Sequence, residues 1–132
     1  MTVAPPVRIW DHRSLMTSIS PDGKSVLIKD DEALRIIPSG GGQPIRSFDR
    51  SSGPGSSLVV QWSADGASLL YVQTSGGGSN VWRFPLEGSD PKPVTAFTSQ
   101  RITCIAVAPD GKGLVLARGT ISSDVVLIRD LK

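Results

Sequence analysis

The chain is 132 residues long, 39% hydrophobic and 20% charged, one globular domain's worth that excludes a multidomain enzyme and a disordered segment. Its net charge is +2 with no Lys/Arg run, so no nucleic-acid partner is expected. One histidine, one cysteine and two glutamates leave little for a metal site or a charge-relay enzyme, and a single cysteine forms no internal disulfide.

The N-terminal residues lack a basic start followed by an apolar stretch, and no segment reaches the roughly 18 apolar residues of a membrane span. The expectation is no membrane partner and a cytoplasmic chain as it stands, or a periplasmic one if it is cut from a longer protein. The 14 Gly and 10 Pro point to many turns.

In chain order, the first segment is a short strand at 6–11, inside PPVRIWDHRS. A loop with His12 and Arg13 follows. TSISPDGKSVLIK (17–29) then sets Asp22-Gly23 between two hydrophobic runs. That is a strong hairpin signal, because Gly accepts positive φ and Asp bonds its own backbone. ALRIIP (33–38) is a third strand, SGGG (39–42) a turn and QPIRSF (43–48) a fourth strand. Pro at the start of that strand suits an edge, since it has no N–H for a ladder.

The same order returns as VQWSADGASLLYV (60–72), NVWRFP (80–85), LEGS (86–89) and KPVTAF (92–97). It returns again as IAVAPDGKGLVLA (105–117) and DVVLIR (124–129). The Asp-Gly pairs begin at 22, 65 and 110, spacings of 43 and 45 residues. The runs VLI (26–28), LLYV (69–72) and LVLA (114–117) are continuous, as in strands buried on both faces. No helix is expected, because no window sustains an amphipathic period without Gly or Pro inside it.

Four short strands in 43–45 residues predict an all-β chain: a β-propeller of three four-stranded blades, at about 15–49, 57–97 and 102–129. The third unit has no fourth strand of its own. The segment at 6–11 aligns with the other fourth strands through Pro6, Pro44 and Pro93, then Val7, Ile45 and Val94, then Trp10, Phe48 and Phe97. Three blades are too few to close a ring, since propellers run from about four to eight. The reading is a homodimer forming one six-bladed ring, each N-terminal strand completing the partner's third blade. The alternatives are a piece of a longer propeller and an open monomeric arc.

The turns SPDG at 20–23 and APDG at 108–111, with the variant WSADG at 62–66, resemble the repeats of TolB-like propellers, relatives of the WD-repeat propellers. Residues 81–132 are similar to the ends of such propellers on bacterial serine/threonine kinases and winged-helix regulators. The resemblance covers nearly the whole chain and implies a non-catalytic module that binds a protein or a ligand. The kinase and DNA-binding parts of those proteins have no counterpart here. Ala64 stands in place of the turn Pro in the second unit, and the first unit is short between its second and third strands.

Candidate chemistry is sparse. Gly23-Lys24-Ser25 resembles the tail of a phosphate loop, but Ser18 stands where such a loop needs Gly and a strand follows rather than a helix. No G-x-S-x-G elbow is present, and a triad cannot be built around His12. Asp22, Asp65 and Asp110 are read as turn residues, Trp62, Trp82 and Tyr71 as core, and Cys104 as a small buried residue. In a propeller the inter-blade loops share one face with the second-to-third-strand turns. That face would hold His12, Arg13, Arg50, Asn80 and Arg101 as binding residues, with Asp31, Glu32 and Asp124 nearby. An Arg in each inter-blade loop favours an acidic peptide or anionic ligand. The predicted function is therefore a non-enzymatic scaffold or sensor binding a protein or ligand, with no cofactor. The alternatives are the propeller part of a peptidase or other enzyme, and a half-propeller with no ligand of its own.

Overall fold

A computed structural model describes residues 3–120. They form three small antiparallel sheets. Sheet 1 holds β1 (Met16–Ile19), β2 (Ser25–Lys29), β3 (Ala33–Pro38) and β4 (Arg46–Asp49), side by side in chain order. Sheet 2 repeats that order with β5 (Val60–Trp62), β6 (Ser68–Ser75), β7 (Gly78–Pro85) and β8 (Lys92–Pro93). Sheet 3 contains β9 (Arg101–Val107) and β10 (Leu114–Gly119). The expected strand at 124–129 lies outside the described residues. Among the described residues no helix is long and apolar enough to cross a membrane.

The Asp-Gly turns do the work assigned to them. Gly23, Gly66 and Gly111 have φ of 73°, 71° and 75°, a region that costs a side-chain-bearing residue energy. Asp22 accepts hydrogen bonds from the Ser20 hydroxyl (2.6 Å) and the Lys24 N–H (2.9 Å). Asp65 accepts the equivalent pair from Ser63 (2.6 Å) and Ala67 (3.0 Å). The hairpins are wider than a two-residue turn: the Ser20 N–H donates to the Ser25 carbonyl across the whole SPDGKS loop. The tight two-residue turn is instead Gly76-Gly77, closing Ser75 onto Gly78 with both φ positive, the hairpin geometry that glycine favours.

The sheets stack face to face by one repeated joint. Leu27, Leu34 and Ile36 of sheet 1 meet Val60, Trp62, Leu69 and Tyr71 of sheet 2. Leu70 and Val81 of sheet 2 meet Ile102, Ile105, Val107, Leu114 and Leu116 of sheet 3. Counted from the turn aspartates, Leu70 matches Leu27, and Ile105, Val107, Leu114 and Leu116 match Val60, Trp62, Leu69 and Tyr71. Each buried aliphatic side chain contributes about 1.5–3 kcal/mol, so these joints carry most of the fold's stability. Trp62 also donates its indole N–H to the Ser18 carbonyl at 3.1 Å. The turns stack in step: a Cβ at Gly66 would touch Pro21 at 3.5 Å, and one at Gly111 would touch Ala64 at 3.3 Å.

Four expectations change. A single helical turn, α1 (Gly53–Ser56), interrupts the link between sheets 1 and 2. Pro54 presets its φ, and Gly55 fits only because it lacks a Cβ, which would stand 1.8 Å from the Asp49 carbonyl oxygen. Residues 6–11 form no strand and join no ladder among the described residues. The fourth strand of the second unit pairs only at Lys92–Pro93; beyond it, Asn80 takes over the backbone's hydrogen bonds. Cys104 is exposed rather than buried, because it points to the outer face of sheet 3, opposite the joint.

Candidate functional site

The links between sheets and the turns β2–β3 and β6–β7 gather at one end of the molecule. At this end the Arg50 guanidinium donates to the Asp31 carbonyl, and the Ser79 N–H donates to the Gln100 carbonyl at 2.9 Å. Gln100 adopts φ of 68° beside that contact, a region that non-glycine residues seldom occupy. Gly78 packs so closely on Thr98 that a Cβ would lie 2.9 Å from its carbonyl carbon.

Lys29 is the residue sequence reading missed. It is 2% exposed. Its ammonium donates to the Gly55 carbonyl at 2.7 Å and to the Ser57 carbonyl. Burial, aided by the Arg50 charge, pushes its pKa below the usual lysine value. Its signal was its place in the repeat: Lys29 stands where Val72 stands in sheet 2, an inward position. The charge is tolerated because two carbonyls of the α1 segment replace its water.

The five predicted residues divide. His12 and Arg13 lie on the first link and border an open cleft of about 840 Å³ between residues 8–13 and the outer flank of sheet 1. The cleft runs from the turn at Asp30–Glu32 to the glycine turn at 40–42. His12 sits edge-on to Trp10, ring centroids 5.4 Å apart. Arg50 is drawn to the same turn through Asp31. The acidic side chains there are already matched in part, since Arg35 pairs with both Asp30 and Glu32.

Asn80 faces inward. Its amide donates to the Phe97 carbonyl (2.9 Å), and its oxygen accepts from the Thr95 hydroxyl (2.8 Å) and the Phe97 N–H (2.6 Å). With those partners it shapes the link instead of offering itself to a ligand. Arg101 stands apart from the others, on a second cleft of about 540 Å³ between sheets 2 and 3. Its neighbours there are the hydroxyl residues Ser56, Ser57, Thr74 and Thr103, with Leu58 at the lip. Arg101 is the one charged side chain lining it among the described residues. Arg13 and Arg101 therefore line two different clefts.

No protein-family model matches this chain, and no curated protein matches it.

Proposed function

We propose that the protein is a non-enzymatic binding module, a TolB-like β-propeller whose link-bearing end takes up an acidic segment of another protein. Two successive four-stranded antiparallel meanders and a third hairpin, joined by one repeated packing contact, support reading the sheets as blades. Two copies would supply six such blades, enough to close a ring.

The observation that carries the binding reading is the Arg101 cleft. A lone guanidinium stands over hydroxyl groups, and Leu58, 78% exposed, stands at the lip. A carboxylate would find a bidentate partner in Arg101, and an apolar neighbour on the same segment would cover Leu58. Panning a displayed random-peptide library against the protein tests this. Acidic peptides carrying an adjacent apolar residue should be enriched, and Arg101→Ala should abolish their capture. Enrichment of basic peptides, no enrichment, or capture indifferent to Arg101→Ala would overturn the reading.

A further inference from the structure

Among the described residues the stack of sheets ends in two unlike faces, and each is one half of the joint used twice between those sheets. On sheet 3 the outer face presents Val115, which matches Leu27 and Leu70, and Cys104, which matches Met16 and Val59. Val115 is 71% exposed, whereas Leu27 and Leu70 are buried. On sheet 1 the outer face already buries Ile28 and Ile37 but presents Ile19, which matches Trp62 and Val107, and the half-buried Val26, which matches Leu69 and Leu114. Ile19 is 62% exposed. The turns agree: Pro21 and Ala64 each rest on the glycine of the next turn. Pro109 is exposed, and a Cβ at Gly23 would meet nothing within 4 Å.

The N-terminal segment marks what is missing. Phe48, within the last strand of sheet 1, and Phe97, just after that of sheet 2, each pack on the next sheet, Phe48 edge-on to Phe84 at 5.2 Å and Phe97 under Arg118 at 3.5 Å. Trp10, their equivalent, packs the same way on sheet 1, with the Arg35 guanidinium 5.3 Å from its ring. Residues 8–11 thus hold the place of the outer segment of a preceding sheet. The large cleft lies between that segment and the flank of sheet 1.

We propose that the occupant is sheet 3 of a second copy of this chain. Val115 of that copy seats against Ile19 and Val26 as Leu27 seats against Trp62 and Leu69, and Pro109 caps Gly23. The contact joins unlike faces, so a closed pair contains it twice. This rests on the reading of the sheets as successive blades; it is independent of the Arg101 cleft.

The test uses two surface substitutions and light-scattering mass measurements, with circular dichroism to check each fold. The wild-type chain should run at twice 13.9 kDa. Ile19→Lys alone and Val115→Glu alone should each run as monomers, because both contacts then set a charge against an apolar side chain. Mixed in equal amounts, they should pair again, because one contact is then native and the other sets Lys against Glu. A monomeric wild type, a dimer indifferent to Val115→Glu, or a mixture that stays monomeric would overturn the proposal. Peptide capture by Arg101 is read on the monomeric Val115→Glu chain, so failure of one proposal leaves the other legible.

Discussion

In sheet 2 the run after the Asp-Gly turn, Leu69 to Tyr71, is buried on both sides of the sheet; in sheet 3 the matching run, Leu114 to Ala117, alternates between half-buried and exposed. The two runs are equally apolar. Sheet 2 lies between two neighbours and sheet 3 has one among the described residues, so continuous hydrophobicity records a demand for two covered faces. Whether the demand is met depends on what stands beside the sheet.

The sharpest way to break the comparison is to shorten the matched side chains. Leu70→Ala should cost about 2–5 kcal/mol, as a large-to-small change in a closed joint. Val115→Ala, at the same repeat position, should change the stability of the dilute, unassociated chain by no more than about 0.5 kcal/mol. Urea denaturation at low protein concentration measures both. Equal costs would mean that sheet 3 is covered within a single chain.

The two joints of sheet 2 differ in charge at one position, where Lys29 stands on one side and Val72 on the other. Lys29→Met should cost about 1–3 kcal/mol despite the added apolar surface, because the Gly55 and Ser57 carbonyls lose their donor. The pH dependence has a definite sign. The buried ammonium releases its proton more readily than it would in the unfolded chain, so folding costs most while Lys29 is charged in both states. Stability from this group rises as pH climbs through its depressed folded range toward 10.5. A stability curve with Lys29→Met alongside should show that rise flattened.

The smallest contrast lies in the turns. Ser63 bonds Asp65, whereas the third turn has Ala108 at the matching position. The Ser63 hydroxyl, then the Ala67 N–H, hold the Asp65 carboxyl below its usual 3.8. The folded chain therefore binds this proton less readily than the unfolded one. The contribution is whole above pH 3.8 and is lost as pH falls through the folded value. Ser63→Ala gives the second turn the chemistry of the third and should flatten the melting temperature's fall between about pH 5 and pH 2. An unchanged acid slope would show that the hydroxyl does not set the carboxyl's affinity.

Much of this architecture was legible because a hairpin is a local object. Asp-Gly pairs, alternating inner strands and apolar second strands located the first hairpin of each unit, but not the tight Gly76-Gly77 turn that closes β6 onto β7. The core tryptophan Trp62 and the turn role of the aspartates were readable for the same reason. The candidate site was less so. His12 and Arg13 border the cleft by the Asp30–Glu32 turn and Arg50 bonds that turn, whereas Arg101 lines another cleft and Asn80 is spent on the backbone of Phe97. Lys29 escaped because a charged residue closing an apolar run reads as an exposed strand end unless its partners, two carbonyls on a distant link, are known.

The order of residues alone determined a threefold recurrence of antiparallel strands and the side of each strand that seeks cover, since turn chemistry and side-chain alternation act over a few residues. Tertiary structure decided which faces find that cover: the joints between sheets, the burial of Lys29, and the separation of the arginines. Those depend on surfaces brought together from far apart in the chain, where shape and desolvation, rather than neighbouring residues, select the contact.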